Sequence, residues 1–175
     1  MLIQNAQIAI TEKPQEAEKE IITPINDKYD LKVKMDAFYG DLIVDHKSVS
    51  SFTKEEEHNK YRDQMDLYQY AHYKTTGEKL PAKIIEILKR KPSLPTKKDD
   101  LLEMLPAKQK MQALEEKLKV DEIKNILHLH TTKDQVCQEI DFTWSDEIIE
   151  RVETRIRRAI IKADWLQTLE LEDIL

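Results

Sequence analysis

Apolar and polar residues alternate along YDLKVKMDAF (Tyr29–Phe38), where Leu31, Val33 and Met35 interleave with Lys32, Lys34 and Asp36. That is the period of a half-buried β-strand. A second apolar run, Leu42-Ile43-Val44, follows almost at once and predicts a strand that continues through Lys47. Gly40-Asp41 between them suits a two-residue hairpin loop, glycine supplying a positive φ. The mixed, polar stretch 1–28 offers one further strand, over Glu20–Pro24. Thr53-Lys-Glu-Glu56 then matches a capping box, and Tyr61, Met65 (or Gln64), Tyr68 and His72 recur at helical spacing until Gly77, a natural helix terminator.

PAKIIEILKRKP (Pro81–Pro92) opens as a continuous apolar run of strand length, which suits a central strand covered on both faces. Beyond Pro95 the period becomes helical and the elements short: KKDDLLEML, then PAKQKMQALEEKLK with Pro106 at a first-turn position, then DEIKNILHLH. CQEIDFTW (Cys137–Trp144) predicts another strand. Ser145–Leu166 is the clearest helix, with Ser145 as cap, acids in the first turn and a stripe of Ile148, Val152, Ile156, Ile160 and Ala163. The expected class is α/β (α+β): a small mixed sheet with one crossover helix, followed by a helical C-terminal extension. The expected division is a core over residues 1–92 and an extension over 93–175 packed on it as part of the same domain.

The hairpin register sharpens this picture. With Gly40 and Asp41 as the loop, Phe38 pairs with Ile43, Ala37 with Val44 and Asp36 with Asp45. Leu31, Val33, Met35, Ala37, Leu42 and Val44 then share one core face. Asp36 and Asp45 fall opposite each other on the other face, and Lys47, two residues on, points the same way. Like charges so placed destabilise a sheet unless one takes a proton or a cation sits between them. Two carboxylates make a minimal hard-cation site of the kind Mg²⁺ occupies with water completing its shell. Such an ion acidifies water and polarises a phosphodiester, and a neighbouring ammonium stabilises the attacking hydroxide or the charge on phosphorus.

Composition adds exclusions. The 175 residues are 40% hydrophobic and 35% charged with two glycines, which favours a helix-rich globular chain with a real core. A single cysteine, Cys137, cannot form an internal disulfide or a four-cysteine metal site, and fits a reducing, cytoplasmic setting. No stretch approaches a membrane span, and the first residues lack the pattern of a secretory signal. A net charge of −6 does not itself advertise nucleic-acid binding, but says little about a local patch.

Asp36, eight residues, then Asp45-His46-Lys47 at the end of an apolar strand resembles the PD-(D/E)XK nuclease superfamily. Gln64-x-x-x-Tyr68 on the following helix resembles its RecB-like branch, which includes phage exonucleases. The likeness covers roughly residues 18–90, ending with the strand AKIIEIL. It implies a restriction-endonuclease-like core and a Mg²⁺-dependent (or Mn²⁺-dependent) deoxyribonuclease acting in phage or bacterial recombination or repair. Asp36 and Asp45 would hold the metal, Lys47 would support the nucleophile, and Gln64 and Tyr68 would position substrate or the lysine. DNA is the implied partner, with a recombination protein or a second copy of the chain as further partners. The family also carries an acidic or histidine residue on a helix upstream of the first aspartate. Glu18 or Glu20 would be that acid here, in a core incomplete at its N-terminus. The glycine common before the first aspartate is replaced by Lys32-Val33-Lys34. The alternative, from another class, is a nuclease-fold subunit that binds DNA or a partner without hydrolysis; a helical scaffold is a third.

Other features have plainer readings. His128-Leu-His130 diverges on a helix and suits a surface role. His46 points to the face opposite its neighbours. The basic run Lys89-Arg90-Lys91 with Lys97-Lys98 suits either phosphate contacts or an exposed strand exit. Arg155, Arg157 and Arg158 fall on the solvent side of the last helix, and Trp144 and Trp165 read as packing residues.

Overall fold

The computed structural model describes residues 2–129 and 131–172; His130, the second member of the His128-Leu-His130 pair, lies outside the described residues. Five strands form one sheet in the order β1-β2-β3-β4-β5: β1 (Glu16–Pro24), β2 (Asp30–Phe38), β3 (Ile43–Val49), β4 (Ala82–Leu88) and β5 (Cys137–Phe142). Seven α-helices accompany it among the described residues: α1 (Leu2–Ala9), α2 (Arg62–Thr76), α3 (Lys98–Glu103), α4 (Ala107–Glu115), α5 (Val120–Leu129), α6 (Lys133–Val136) and α7 (Glu147–Glu172). The mixed α/β class expected from the sequence is the class observed. Among the described residues, no helix is long and apolar enough to cross a membrane.

The hairpin forms in the expected register. Phe38 pairs with Ile43 and Ala37 with Val44, and the Tyr39 N–H donates to the Leu42 carbonyl at 3.0 Å. Gly40 supplies the left-handed backbone, with φ of +93°, that a residue with a Cβ adopts only under strain. The burial differs from a one-sided sheet. Phe38 and Ile43 are as buried as Ala37 and Val44, so both faces are covered at this end. β4 is likewise buried at every position but Lys83, as an apolar run without alternation requires.

The remaining differences are local. β1 begins four residues before the expected Glu20, and α1 occupies a stretch whose Gln4, Asn5 and Gln7 disguise it. The Thr53–Glu56 box does not form. Lys54 is the N-cap of a 3-10 helix over Glu55–Tyr61, and the Thr53 hydroxyl instead accepts from Lys60 Nζ at 2.6 Å. The same signature at Thr132–Gln135 does cap α6 reciprocally. Pro106 is the N-cap of α4 rather than its first residue, and Trp165 is 59% exposed rather than packed.

The chain packs as two compact units. One contains the chain up to Glu12, Lys47–Phe52 and Glu86–Gln138; the other contains Lys13–His46, Thr53–Ile85 and the chain from Glu139 onward. The first has a core of Leu101, Leu102, Leu105, Ala113 and Ile123. The second is built on Val33, Met35, Phe38, Ile43, Met65, Tyr68, Ala71 and Ile84, with Tyr70, Ile148 and Val152 in a neighbouring cluster. In the second unit the α7 stripe is buried at Ile148 and Val152 and half-buried at Ile156, Ile160 and Ala163.

Candidate active site

The second unit contains four of the five candidate residues. Asp36 closes the alternation of β2, and the β2–β3 ladder ends one pair before it, at Ala37↔Val44. At that point a side chain replaces the backbone as acceptor: Asp36 Oδ2 takes the His46 N–H at 2.9 Å. Asp45, which precedes His46, is 1% exposed, because Asp45 lies where β3 enters the covered end of the sheet. A carboxylate so placed is costly unless hydrogen bonds satisfy it.

α2 supplies such bonds to one of its oxygens, Oδ1. Gln64 and Tyr68 stand at i and i+4 on one helical face. Gln64 Nε2 donates to Asp45 Oδ1 at 2.8 Å and to the Tyr68 hydroxyl oxygen at 2.7 Å, and the Tyr68 hydroxyl donates to Asp45 Oδ1 at 3.4 Å. The two side chains thus engage the carboxylate itself. Burial pushes the Tyr68 hydroxyl above its ordinary range against the Gln64 hydrogen bond, and the charges of Asp45 and Asp36 push it further. Burial likewise pulls the His46 imidazole below its usual range, while both aspartates pull the other way. The two carboxylates therefore act on the same neighbours. His46 Nε2 is buried without a hydrogen-bond partner among the described residues.

α2 is itself anchored by charge. Asp66, fully buried, accepts from Arg151 Nε of α7 at 2.8 Å, and Arg155 Nη1 pairs with Asp63 at 3.1 Å. Arg155 therefore does not merely decorate the solvent side of α7; Arg157 and Arg158 do stay exposed. The sequence offered a signal for this, since Asp63 precedes Gln64 and Asp66 lies between Gln64 and Tyr68 on an otherwise amphipathic helix. Trp144 packs as expected, its ring 5.1 Å from that of Tyr73.

Glu18 and Glu20 lie on β1 and are exposed. Each pairs with a lysine of β2, Glu18 with Lys34 at 2.9 Å and Glu20 with Lys32 at 2.9 Å. The pairs Ala17↔Ala37 and Lys19↔Met35 set Glu18 across from Asp36, but Glu18 has φ of +53°, an interruption of the strand at that point. Lys47 is two residues beyond Asp45 on β3, in the part of the strand that belongs to the other unit.

The donor set of Asp36 and Asp45 is two hard carboxylates, one deeply buried. That fits Mg²⁺ or Mn²⁺, which take one or two carboxylates and keep water. No group of three or more His, Cys, Asp or Glu suited to a metal occurs among the described residues.

No family model matches this chain, and no curated protein matches it. Among solved structures, it is similar to a crystal structure named "Putative exonuclease" from Eubacterium rectale, at 15% identity and a TM-score of 0.45 over 84% of this chain. The match covers 43% of that protein, so this chain spans less than half its length. A likeness of this size assigns neither family nor activity.

Proposed function

We propose that the protein is a metal-dependent deoxyribonuclease that hydrolyses DNA phosphodiester bonds. The observation that carries this reading is the clasp on Asp45: a carboxylate 1% exposed, held by Gln64 and Tyr68, beside a second carboxylate that has left the ladder. In this reading Asp36 and Asp45 hold Mg²⁺ or Mn²⁺, and Gln64 and Tyr68 fix the orientation of Asp45. Such outer hydrogen bonds orient carboxylate ligands and raise their affinity. When bound, the ion supplies Lewis acidity toward a phosphodiester oxygen and toward water. Lys47 supports the nucleophile or the charge that develops on phosphorus.

The test is digestion of linear duplex and single-stranded DNA with and without Mg²⁺, in the wild type and in Asp45→Asn. This variant keeps the shape and an acceptor for Gln64 while removing the charge. Several kcal/mol of charge stabilisation are then lost, so hydrolysis should fall at least about 10²-fold with little change in melting temperature. A wild type inert with Mg²⁺ and Mn²⁺, or an Asp45→Asn variant as active as the wild type, rejects the assignment.

A further inference from the structure

The unit built around α3–α5 contains a cleft of about 570 Å³ between α1, the chain leaving β4, and α5. Besides the buried Asn5, its polar lining comes from Gln4, Gln7, Lys91, Asn125, His128 and Thr131. All of these can donate hydrogen bonds, and among the described residues none that lines the cleft is acidic, in a chain with 34 Asp and Glu. The wall is built rather than loose. Asn5 of α1 is buried, and its amide donates to the Leu88 and Arg90 carbonyls at 2.7 and 3.0 Å, tying α1 to the segment that ends in Lys91.

Elsewhere Lys19, Lys32, Lys34, Lys83 and Lys110 each pair with a carboxylate. Among the described residues neither Lys91 nor Lys124 pairs with an acid. Burial first, then the positive charges of Lys91 and Lys124, hold the His128 imidazole below its usual range. A lysine on the wall of a concave site lined by hydrogen-bond donors, with no acid among the described lining residues, favours a bound oxyanion. The volume suits a ligand of nucleotide size.

We propose that this cleft binds a phosphate-bearing ligand, with the phosphate against Lys91 and His128 and the amides of Gln4, Gln7 and Asn125 donating to it and to the group it carries. The ligand is either a free nucleoside phosphate or the phosphorylated end of a nucleic-acid strand. The inference does not depend on hydrolysis at Asp36 and Asp45.

The test uses the full chain without added divalent metal, following the His128 ring resonances by NMR and assigning them with His128→Asn. The probes, at constant ionic strength, are inorganic phosphate, deoxyadenosine, its 5′-monophosphate, and a short single strand with and without a 5′-phosphate. Saturable shifts with the monophosphate but not the nucleoside are expected, weakened tenfold or more in Lys91→Gln, whose circular-dichroism melt stays unchanged because Lys91 is exposed. A response to the phosphorylated strand alone identifies a strand end, and one to the monophosphate alone identifies a free nucleotide. Shifts that never saturate, or that persist undiminished in Lys91→Gln, overturn the proposal.

Discussion

β2 meets its two neighbours in different ways. Toward β1 it makes eight partner pairs, from Glu16↔Phe38 to Pro24↔Asp30, and its exposed lysines find acids across the ladder. Toward β3 it makes two, and the next acceptor is a side chain, Asp36, on the His46 N–H. A long ladder satisfies its own backbone and leaves its outer charges to neutralise each other at the surface. A short one leaves its end to be completed by side chains, and there the charges are alike. The stability of the second hairpin thus rests on packing and on a few charge-assisted bonds, where the first rests on its backbone.

The largest effect should come from removing that packing. Ile43, 0% exposed, sits in the short ladder, and Ile22, 54% exposed, in the long one. Ile43→Ala should cost about 2–5 kcal/mol through lost transfer energy and the cavity left behind. Ile22→Ala should stay within about 0.5 kcal/mol. Urea titrations of the two variants measure the contrast, and equal losses would break the comparison.

The clasp comes next. Gln64→Ala removes the 2.8 Å bond to Asp45 and should lower any metal-dependent hydrolysis about 10–100-fold, the usual effect of losing an outer-shell partner. A change confined to KM for DNA would instead make Gln64 a substrate contact, as the sequence pattern alone implied.

Asp36 separates two roles by itself. Asn keeps an oxygen for the His46 N–H, and Ala does not. Asp36→Ala should therefore be less stable than Asp36→Asn by about 1 kcal/mol, the net worth of a hydrogen bond. Both should lose hydrolysis alike, since both remove the charge. Matched denaturant and digestion assays read the split.

Much of this hairpin was legible because two independent constraints agreed: the turn chemistry of Gly40-Asp41 and the alternation of β2 fix one register. Gly77, with φ of +78°, ended α2 for a similarly local reason. What could not be read depends on distant partners. α1 is held by Asn5 donating to carbonyls 83 and 85 positions away, which no local period encodes. The two capping-box signatures were equally good on paper. One formed at Thr132, and the other failed because Thr53 is buried and engaged by Lys60 and Tyr61. At the candidate site, the spacing of Gln64 and Tyr68 foretold which face they share, but not that they would grip Asp45.

The smallest effect belongs to the long ladder's surface. Lys34 and Glu18 pair at 2.9 Å with both side chains largely exposed. Water and salt screen such a pair, and ordering two long side chains offsets its attraction. Lys34→Ala should shift stability by less than about 1 kcal/mol, and by less still in 1 M salt. It has a second reading, because Glu18 interrupts β1 between the pairs Ala17↔Ala37 and Lys19↔Met35, which bracket Asp36 on β2. Removing the lysine leaves Glu18 without its partner on the stretch of β1 that brackets Asp36, one of the two proposed metal ligands. If Glu18 and Asp36 then repel, the variant should regain stability as Mg²⁺ is added, whereas Lys32→Ala, which frees only Glu20, should not. Thermal melts of the two variants with and without Mg²⁺ decide whether the two edges of β2 are electrostatically separate or share a charge across the strand.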